Sequence, residues 1–348
     1  MTDVTAQPEV SERPAVLRVA NISKEYQLGH GLFSRFGGAQ KTSLKALDGV
    51  DLELRRGEVL ALVGESGSGK STLAKILVGA LQPTGGELHK LGLADGAGRR
   101  ERSRRVQMVF QDPYSSLNPR ISVGSMLAGL LRLHRVVPPG EVRGESIRLL
   151  NRVGLQEDAL TAYPSQFSGG QRQRLAIARA LAVRPDVLVA DEPVSALDVS
   201  VQATILELVR SLQDELGLSI LFVAHNLAVV QHLSQRVAVM YLGRIVETAD
   251  TAEIFSNPRH PYTRALIDSI PRMSADSAAD PFEVEGEPPS PINVPSGCRF
   301  HPRCPVAIDR CRTEDPGLSP VGPGHASACL LAGELPAYRG GPELKEER

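Results

Sequence analysis

Three groups of residues in this chain have the types and spacing to do chemistry. The first is "GESGSGKST", residues 64–72, which fits G-x-x-x-x-G-K-[ST] through Gly64, Gly69, Lys70 and Ser71. Glycines let the backbone bend tightly, so that successive N–H groups point inward at phosphate oxygens. The helix that opens there adds the positive end of its dipole. Lys70 carries a full charge toward β- and γ-phosphates, the Ser71 hydroxyl suits Mg²⁺, and Ser66, Gly67 and Thr72 complete the cradle. The second group is "VLVADE", residues 187–192, an apolar run that ends in two carboxylates. Asp191 suits Mg²⁺ held through water, and Glu192 suits orienting or deprotonating an attacking water. The third is Cys298, Cys304, Cys311 and Cys329, which are all the cysteines of the chain.

These groups need elements to hold them. Val59 to Val63 is continuously apolar, as expected of a strand buried on both faces, and it feeds the glycine loop directly. "STLAKILVGAL" (71–81) then has helical spacing. Residues 122–162 read as a helical block. "RQRLAIARALA" and "SVQATILELVRSLQDELG" read as helices, and "DVLVAD" and "SILFVAH" as strands. This alternation predicts an α/β fold with a parallel sheet covered by helices. Ligands of such sheets bind at the carboxyl ends of the strands, where Asp191 and Glu192 stand. "GHGLFSRFGGAQKTS" reads as a long exposed loop, and "GRRERSRR" (98–105) as a solvated loop rather than a nucleic-acid patch. After about residue 271 prolines cluster, periodicity disappears and the cysteines arrive.

A second helix opens at "FSGGQRQRLAIARAL", with Ser168 and two glycines making another anion-ready N-terminus. One nucleotide does not need two such sites unless the second serves a nucleotide held by another subunit. At this point the sequence resembles the ATP-binding cassette (ABC) ATPases. "FSGGQ" resembles their signature motif (Ser168, Gly169, Gly170, Gln171). "SALD" resembles the D-loop with Asp198, Gln111 the Q-loop glutamine and His225 the switch histidine. Tyr26 falls where the family stacks an aromatic on adenine. The motifs follow the family's order over roughly residues 16–250, and none departs from the pattern at a catalytic position.

The resemblance implies a P-loop, RecA-like core with a helical subdomain and a small irregular C-terminal extension. The expected organisation is a flexible tail over 1–15, core over 16–110, helical and signature subdomain over 111–170, core again over 171–250, and the extension over 251–348. It also implies two cassettes that sandwich two ATPs. Each ATP would lie between the phosphate loop of one chain and the signature helix of the other. Gln111 would contact Mg²⁺ or the water, and His225 the γ-phosphate.

Net charge −1, an absent tryptophan and only 4% aromatics give no nucleic-acid footprint. No apolar run approaches a membrane span, and the start "MTDVTAQPEVSERPAVL" has no signal-peptide features, so the expectation is a cytoplasmic protein. "QDPYSSLNPR", "HPYTRAL" and "PPSPINVPSGCRFHPRC" resemble the oligopeptide/dipeptide importer ATPases, and the first form resembles the second ATPase of the pair. Implied partners are a homologous ATPase in a heterodimer, two membrane permeases at whose cytoplasmic face the chain would sit, and an extracytoplasmic solute-binding protein. Nickel and glutathione importers use similar ATPases, and a soluble ABC ATPase is the weaker alternative.

The cytoplasmic setting disfavours disulfides, and a proline-rich segment with little core needs a staple. The four cysteines are therefore expected to bind one centre. Their C-x5-C-x6-C-x17-C spacing is loose for zinc and tolerable for a [4Fe–4S] cluster. Some peptide-importer ATPases carry such a cluster in this extension, so the resemblance points the same way.

Overall fold

In a computed structural model, residues 13–28, 42–91, 98–112, 116–270, 284 and 286–338 are described. The expected tail up to residue 12, the loop over 29–41 and Pro113–Ser115 of "QDPYSSLNPR" lie outside them. The chain begins with β1 (Ala15–Leu28), β2 (Thr42–Arg55), β3 (Val59–Val63), α1 (Lys70–Leu77), β4 (Gly85–Lys90), α2 (Arg99–Arg105) and β5 (Val106–Val109). Three helices follow: α3 (Val123–Leu133), α4 (Val142–Arg152) and α5 (Gly169–Leu181). Next come β6 (Val187–Asp191), α6 (Val199–Leu216), β7 (Ser219–Ala224), α7 (Leu227–Gln231), β8 (Arg236–Tyr241) and β9 (Arg244–Asp250). The last elements are α8 (Thr251–Ser256), α9 (Pro261–Asp268), β10 (Ser319–Gly322) and β11 (His325–Ser327).

The strands form two sheets. An antiparallel sheet has the order β2-β1-β4, and a larger one runs β10-β11-β9-β8-β3-β7-β6-β5. Strands β8, β3, β7, β6 and β5 are parallel, whereas β9 and β11 pair antiparallel to their neighbours. All five residues of β3 are buried, and they divide between two cores. Leu60 and Leu62 meet Leu73, Ile76 and Leu77 of α1 and the antiparallel sheet, including Leu17 and Leu47. Val59, Ala61 and Val63 join the core of the helical block, with Leu127, Leu150 and Leu175. The continuous apolar run is thus the signature of a strand covered on both sides.

Two expectations are corrected. "GRRERSRR" is not a loop, because Arg99–Arg105 is helical. Arginine is a good helix former, and the turn is pinned where Arg104 donates to the Val183 carbonyl at 2.7 Å and Arg105 to Asp186 at 2.7 Å. The extension is not wholly irregular either, because β10 and β11 lengthen the large sheet through Ala326↔Thr248 and Ser327↔Glu247.

Candidate functional site

Four neighbouring strands, β3, β7, β6 and β5, end on one edge, and each delivers part of the site. β3 ends at Val63 and the glycine loop follows. There Gly64 must be glycine because a Cβ would stand 2.1 Å from the Met240 carbonyl. Gly69 caps α1 from the left-handed region at φ 109°, with no side-chain hydrogen bond capping the helix start. β7 ends before His225, β6 ends on Asp191 with Glu192 next, and β5 leads through Phe110 to Gln111. Register holds them level: Val63 faces Ala224, and Asp191 faces Val223.

The side chains meet as the spacing predicts. Ser71 donates its hydroxyl to Asp191 at 3.0 Å. His225 Nδ1 lies 3.0 Å from Glu192 Oε2, and Gln111 Nε2 donates to the same oxygen at 3.4 Å. Glu192 holds φ 46°, a left-handed conformation that costs a non-glycine residue on the order of 1–3 kcal/mol. Its amide donates to the Val223 carbonyl at 3.1 Å, and its own carbonyl accepts from Ser195 Oγ at 3.1 Å, so β7 and the turn hold that strain. Beside it a cavity of about 80 Å³ is lined on one side by polar Glu192, Ser195 and His225 and on the other by apolar Val194, Phe222 and Val229.

Lys70 folds back onto its own loop, donating to the Gly64 carbonyl at 2.7 Å and the Glu65 carbonyl at 2.9 Å. Burial pushes its ammonium below the usual value, against the pull of Glu192, Asp191 and Glu65. Burial likewise holds Asp191 above the ordinary carboxylate range. The Ser71 hydroxyl opposes that rise and Glu192 adds to it. A buried cation beside two crowded carboxylates is the arrangement that a phosphate and a divalent cation would relieve together. A hydroxyl, a carboxylate and an amide are the oxygen donors that Mg²⁺ prefers.

Ser168, Gly169, Gly170 and Gln171 form no hydrogen bond with residues 64–72 among the described residues. Ser168 Oγ accepts from the Gln171 amide at 3.3 Å, and Gln171 Oε1 accepts from the Ser168 amide at 3.0 Å, a reciprocal cap that shapes the start of α5. A Cβ on Gly170 would stand 2.6 Å from Val201 Cγ1, so this start packs closely on the helix opened by Asp198. Ser66 and Gly67 are exposed and Thr72 is half-buried beside them. Tyr26 is 38% exposed, with the Lys24 ammonium 5.3 Å from its ring centre.

The sequence reading missed residues that hold the loop from behind. Tyr262 Oη accepts from the Glu65 amide at 2.8 Å, and Arg303 reaches the Glu65 carboxylate. Tyr262 lies in "HPYTRAL", where the structure gives each leading residue a task. His260 caps α9 by accepting from the Tyr262 amide at 3.1 Å, Pro261 takes the first helical position, and Tyr262 points at the phosphate loop. His260 is fully buried and burial drives its imidazole down to about 4, against Glu247 and the Ala328 carbonyl. A neutral ring is what the cap requires. Glu247, wholly buried, accepts from the Arg259 and His260 amides at 2.5 and 3.0 Å and lies 2.7 Å from His325 Nε2.

Cys298, Cys304, Cys311 and Cys329 are all free thiols. Among the described residues no three or more His, Cys, Asp or Glu side chains stand close enough to hold a metal ion, so the expected four-thiolate centre is not assembled in this arrangement. The thiols sit on turns and loops rather than on a shared sheet edge. Cys298 N–H to the Cys311 carbonyl at 2.9 Å and Ser296 Oγ to the Arg312 carbonyl at 2.9 Å tie two of their segments together. Burial pushes Cys298 up, Cys304 to about 11 and Cys329 to about 12, and neighbouring thiols add to each rise.

No helix among the described residues is long and apolar enough to cross a membrane. Residues 47–195 match the ABC transporter family, and residues 246–311 match the C-terminal region of oligopeptide/dipeptide transporters. The dipeptide transport ATP-binding protein DppF of Haemophilus influenzae is 47% identical over 326 residues, covering 92% of this chain and 98% of that protein. DppF of Escherichia coli is 45% identical, covering 92% and 96%. The post-hydrolysis dimer of the ATP-binding cassette MJ0796 bound to ADP and Pi aligns with a TM-score of 0.57 at 28% identity, over 68% of this chain and 98% of that one. The cbiO1 cassette of Clostridium perfringens aligns with a TM-score of 0.57 at 29% identity, over 69% and 90%. By these matches and by the geometry of its strand ends, the chain belongs to the ABC transporter ATP-binding proteins.

Proposed function

We propose that this chain is the ATP-hydrolysing subunit of a peptide importer of the dipeptide/oligopeptide type. The observation that carries the reading is the convergence of Ser71, Gln111, Asp191, Glu192 and His225 beside Lys70, in a chain that continues into the oligopeptide/dipeptide C-terminal region. Lys70 exchanges its loop carbonyls for phosphate oxygens. Ser71, Asp191 and Gln111 would hold Mg²⁺, which when bound supplies charge stabilisation to the transferring phosphoryl group. Glu192 orients the attacking water and takes its proton, with His225 holding that carboxylate and reaching the γ-phosphate. Tyr26 offers its exposed ring to the adenine. Ser168, Gly169, Gly170, Gln171 and Asp198 face the nucleotide of a partner cassette, a role supported by their forming no hydrogen bond with residues 64–72 among the described residues.

The assembly in this reading is a heterodimer with a homologous ATPase on the cytoplasmic face of the membrane. It docks on two permeases served by an extracytoplasmic binding protein. Residues 16–110 and 171–250 act as the core, 111–170 as the helical and signature subdomain, and 251–348 as the importer-type extension. Glu192→Gln, measured in the assembled transporter with the partner's site also disabled, is expected to keep MgATP binding and lose turnover by roughly 10²–10⁴-fold. Undiminished turnover would falsify the assignment of the base.

The finer part of the reading makes the four cysteines ligands of one metal centre, a [4Fe–4S] cluster before zinc. Its support is the donor chemistry. Cys298 accepts from the Phe300 and His301 amides, Cys304 from Val306 and Cys329 from Leu331, bonds that lower the thiols against their burial. Backbone donors aimed at sulfur are a recurring surrounding of cluster thiolates. Binding would have to draw the sulfurs together. Anaerobic protein is expected to be brown with about four irons per chain. One zinc in a colourless protein would replace the cluster, and metal-free protein with four titratable thiols would end the reading.

A further inference from the structure

Glu65 is the second residue of the phosphate loop and is held at three points. Its carbonyl accepts from Lys70 at 2.9 Å, and its amide donates to Tyr262 Oη at 2.8 Å. Its carboxylate accepts both terminal nitrogens of Arg303, at 2.9 and 3.1 Å. Two of the three anchors come from the part of the chain behind the cassette. The Arg303 side chain is only 9% exposed. Its sole further hydrogen bond among the described residues is to Tyr241 Oη at 3.4 Å, and its Nε is buried with no partner among them. Burying an incompletely satisfied guanidinium is unfavourable in itself. A fork on a carboxylate is the strongest use to which such a group can be put.

The charges around it explain that use. Lys70 is attracted to Glu65 as well as to Asp191 and Glu192. Without Arg303 the Glu65 carboxylate would be an unneutralised anion beside the phosphate site. It would repel an incoming triphosphate and compete with it for the Lys70 ammonium. With Arg303 in place, Lys70 rests on loop carbonyls, which are weaker partners that it can give up.

We infer that Arg303 is a positioning residue of the phosphate loop, which neutralises Glu65 and keeps Lys70 available to the nucleotide, with Tyr262 fixing the loop backbone beside it. The inference rests on reading residues 64–72 as the nucleotide site. MgATP binding by the wild-type full-length chain tests that reading separately.

The decisive measurement is the equilibrium Kd for MgATP of the wild-type full-length chain, R303A and R303A/E65Q. R303A is expected to bind about tenfold more weakly, as suits the loss of a charge-assisted fork. R303A/E65Q should recover most of that loss, because the carboxylate that would repel phosphate is gone. If Arg303 only docks the extension, the double variant, which still lacks the guanidinium, stays as weak as R303A, and the inference fails. It fails equally if R303A binds within about twofold of wild type. Should R303A not fold, R303K and R303K/E65Q put the same question. Lysine keeps a charge without the fork, so the expected loss is smaller and its recovery by E65Q still decides.

Discussion

Gln111, Asp191, Glu192 and His225 stand at or just past the ends of three adjacent strands locked in register, with Lys70 and Ser71 on a helix fed by a fourth. In the extension, Cys311 lies on a short 3-10 turn, and Cys298 and Cys304 flank another. In the first region a ladder of hydrogen bonds sets side-chain separations before any ligand arrives. In the second, a few bonds between turns set them, such as Cys298 N–H to the Cys311 carbonyl and Ser296 Oγ to the Arg312 carbonyl, and no metal-holding group is assembled among the described residues. Preorganisation thus comes from the sheet, whereas a turn-built site leaves its final geometry to whatever binds there.

The largest break in this comparison should come at Lys70. Lys70→Ala removes a buried charge aimed at phosphate, and MgATP affinity should fall by roughly 100-fold or more, read by equilibrium binding. The metal or thiol content of the extension should be unchanged, and a change in it would show that the two regions are not separable in this way.

A further effect tests the packed seam between them. His260 is held neutral down to about 4, whereas the unfolded chain protonates near 6.5. Between these values the unfolded state binds more protons, so stability is complete above about 6.5 and declines as pH falls toward 4, by up to about 3 kcal/mol. In His260→Asn, where the amide oxygen can take over the cap, the difference from wild type should shrink over that window in denaturant melts. Parallel pH curves for the two proteins would refute the buried-neutral role.

The smallest effect is expected at the start of α5. Gly170→Ala forces a Cβ against Val201, an overpacking of about 1–3 kcal/mol that helix propensity offsets by up to about 1. A net loss of about 1 kcal/mol in thermal stability would confirm that the signature helix is pinned to the helix behind Asp198. No loss would mean that this end of the site is looser than the strand ends.

What the sequence made legible follows the same division. β3, β6 and β7 are short, fully buried runs, and each is readable because burial on both faces leaves the strand apolar except at one end, Asp191 of β6 and Ser219 of β7. β4, "GGELHK", is mostly exposed and carries no periodic signal. β10 and β11 are four and three residues long, below any pattern's reach. The side chains that meet Glu65 come from Tyr262 and Arg303, 197 and 238 residues along the chain, and no local spacing encodes such a meeting. "HPYTRAL" stood out as a string, yet its roles in capping and in reaching the phosphate loop appear only when α9 is docked. The arginine run was misread because charge suggests solvent, while propensity and two anchored guanidiniums made it a helix.

The pairing of β11 with β9 bears on how this protein can be shortened. β9 is seven residues long and largely buried, and the extension covers its outer side through Ala326, Ser327 and the Ala328 amide, which donates to the Val246 carbonyl at 2.7 Å. A chain cut after residue 318 would leave that backbone unpaired, and such an edge invites strand addition from a second molecule and aggregation. The intact sheet ends instead on β10, only four residues long and carrying Pro320, an edge too short and too poor in donors to recruit another strand.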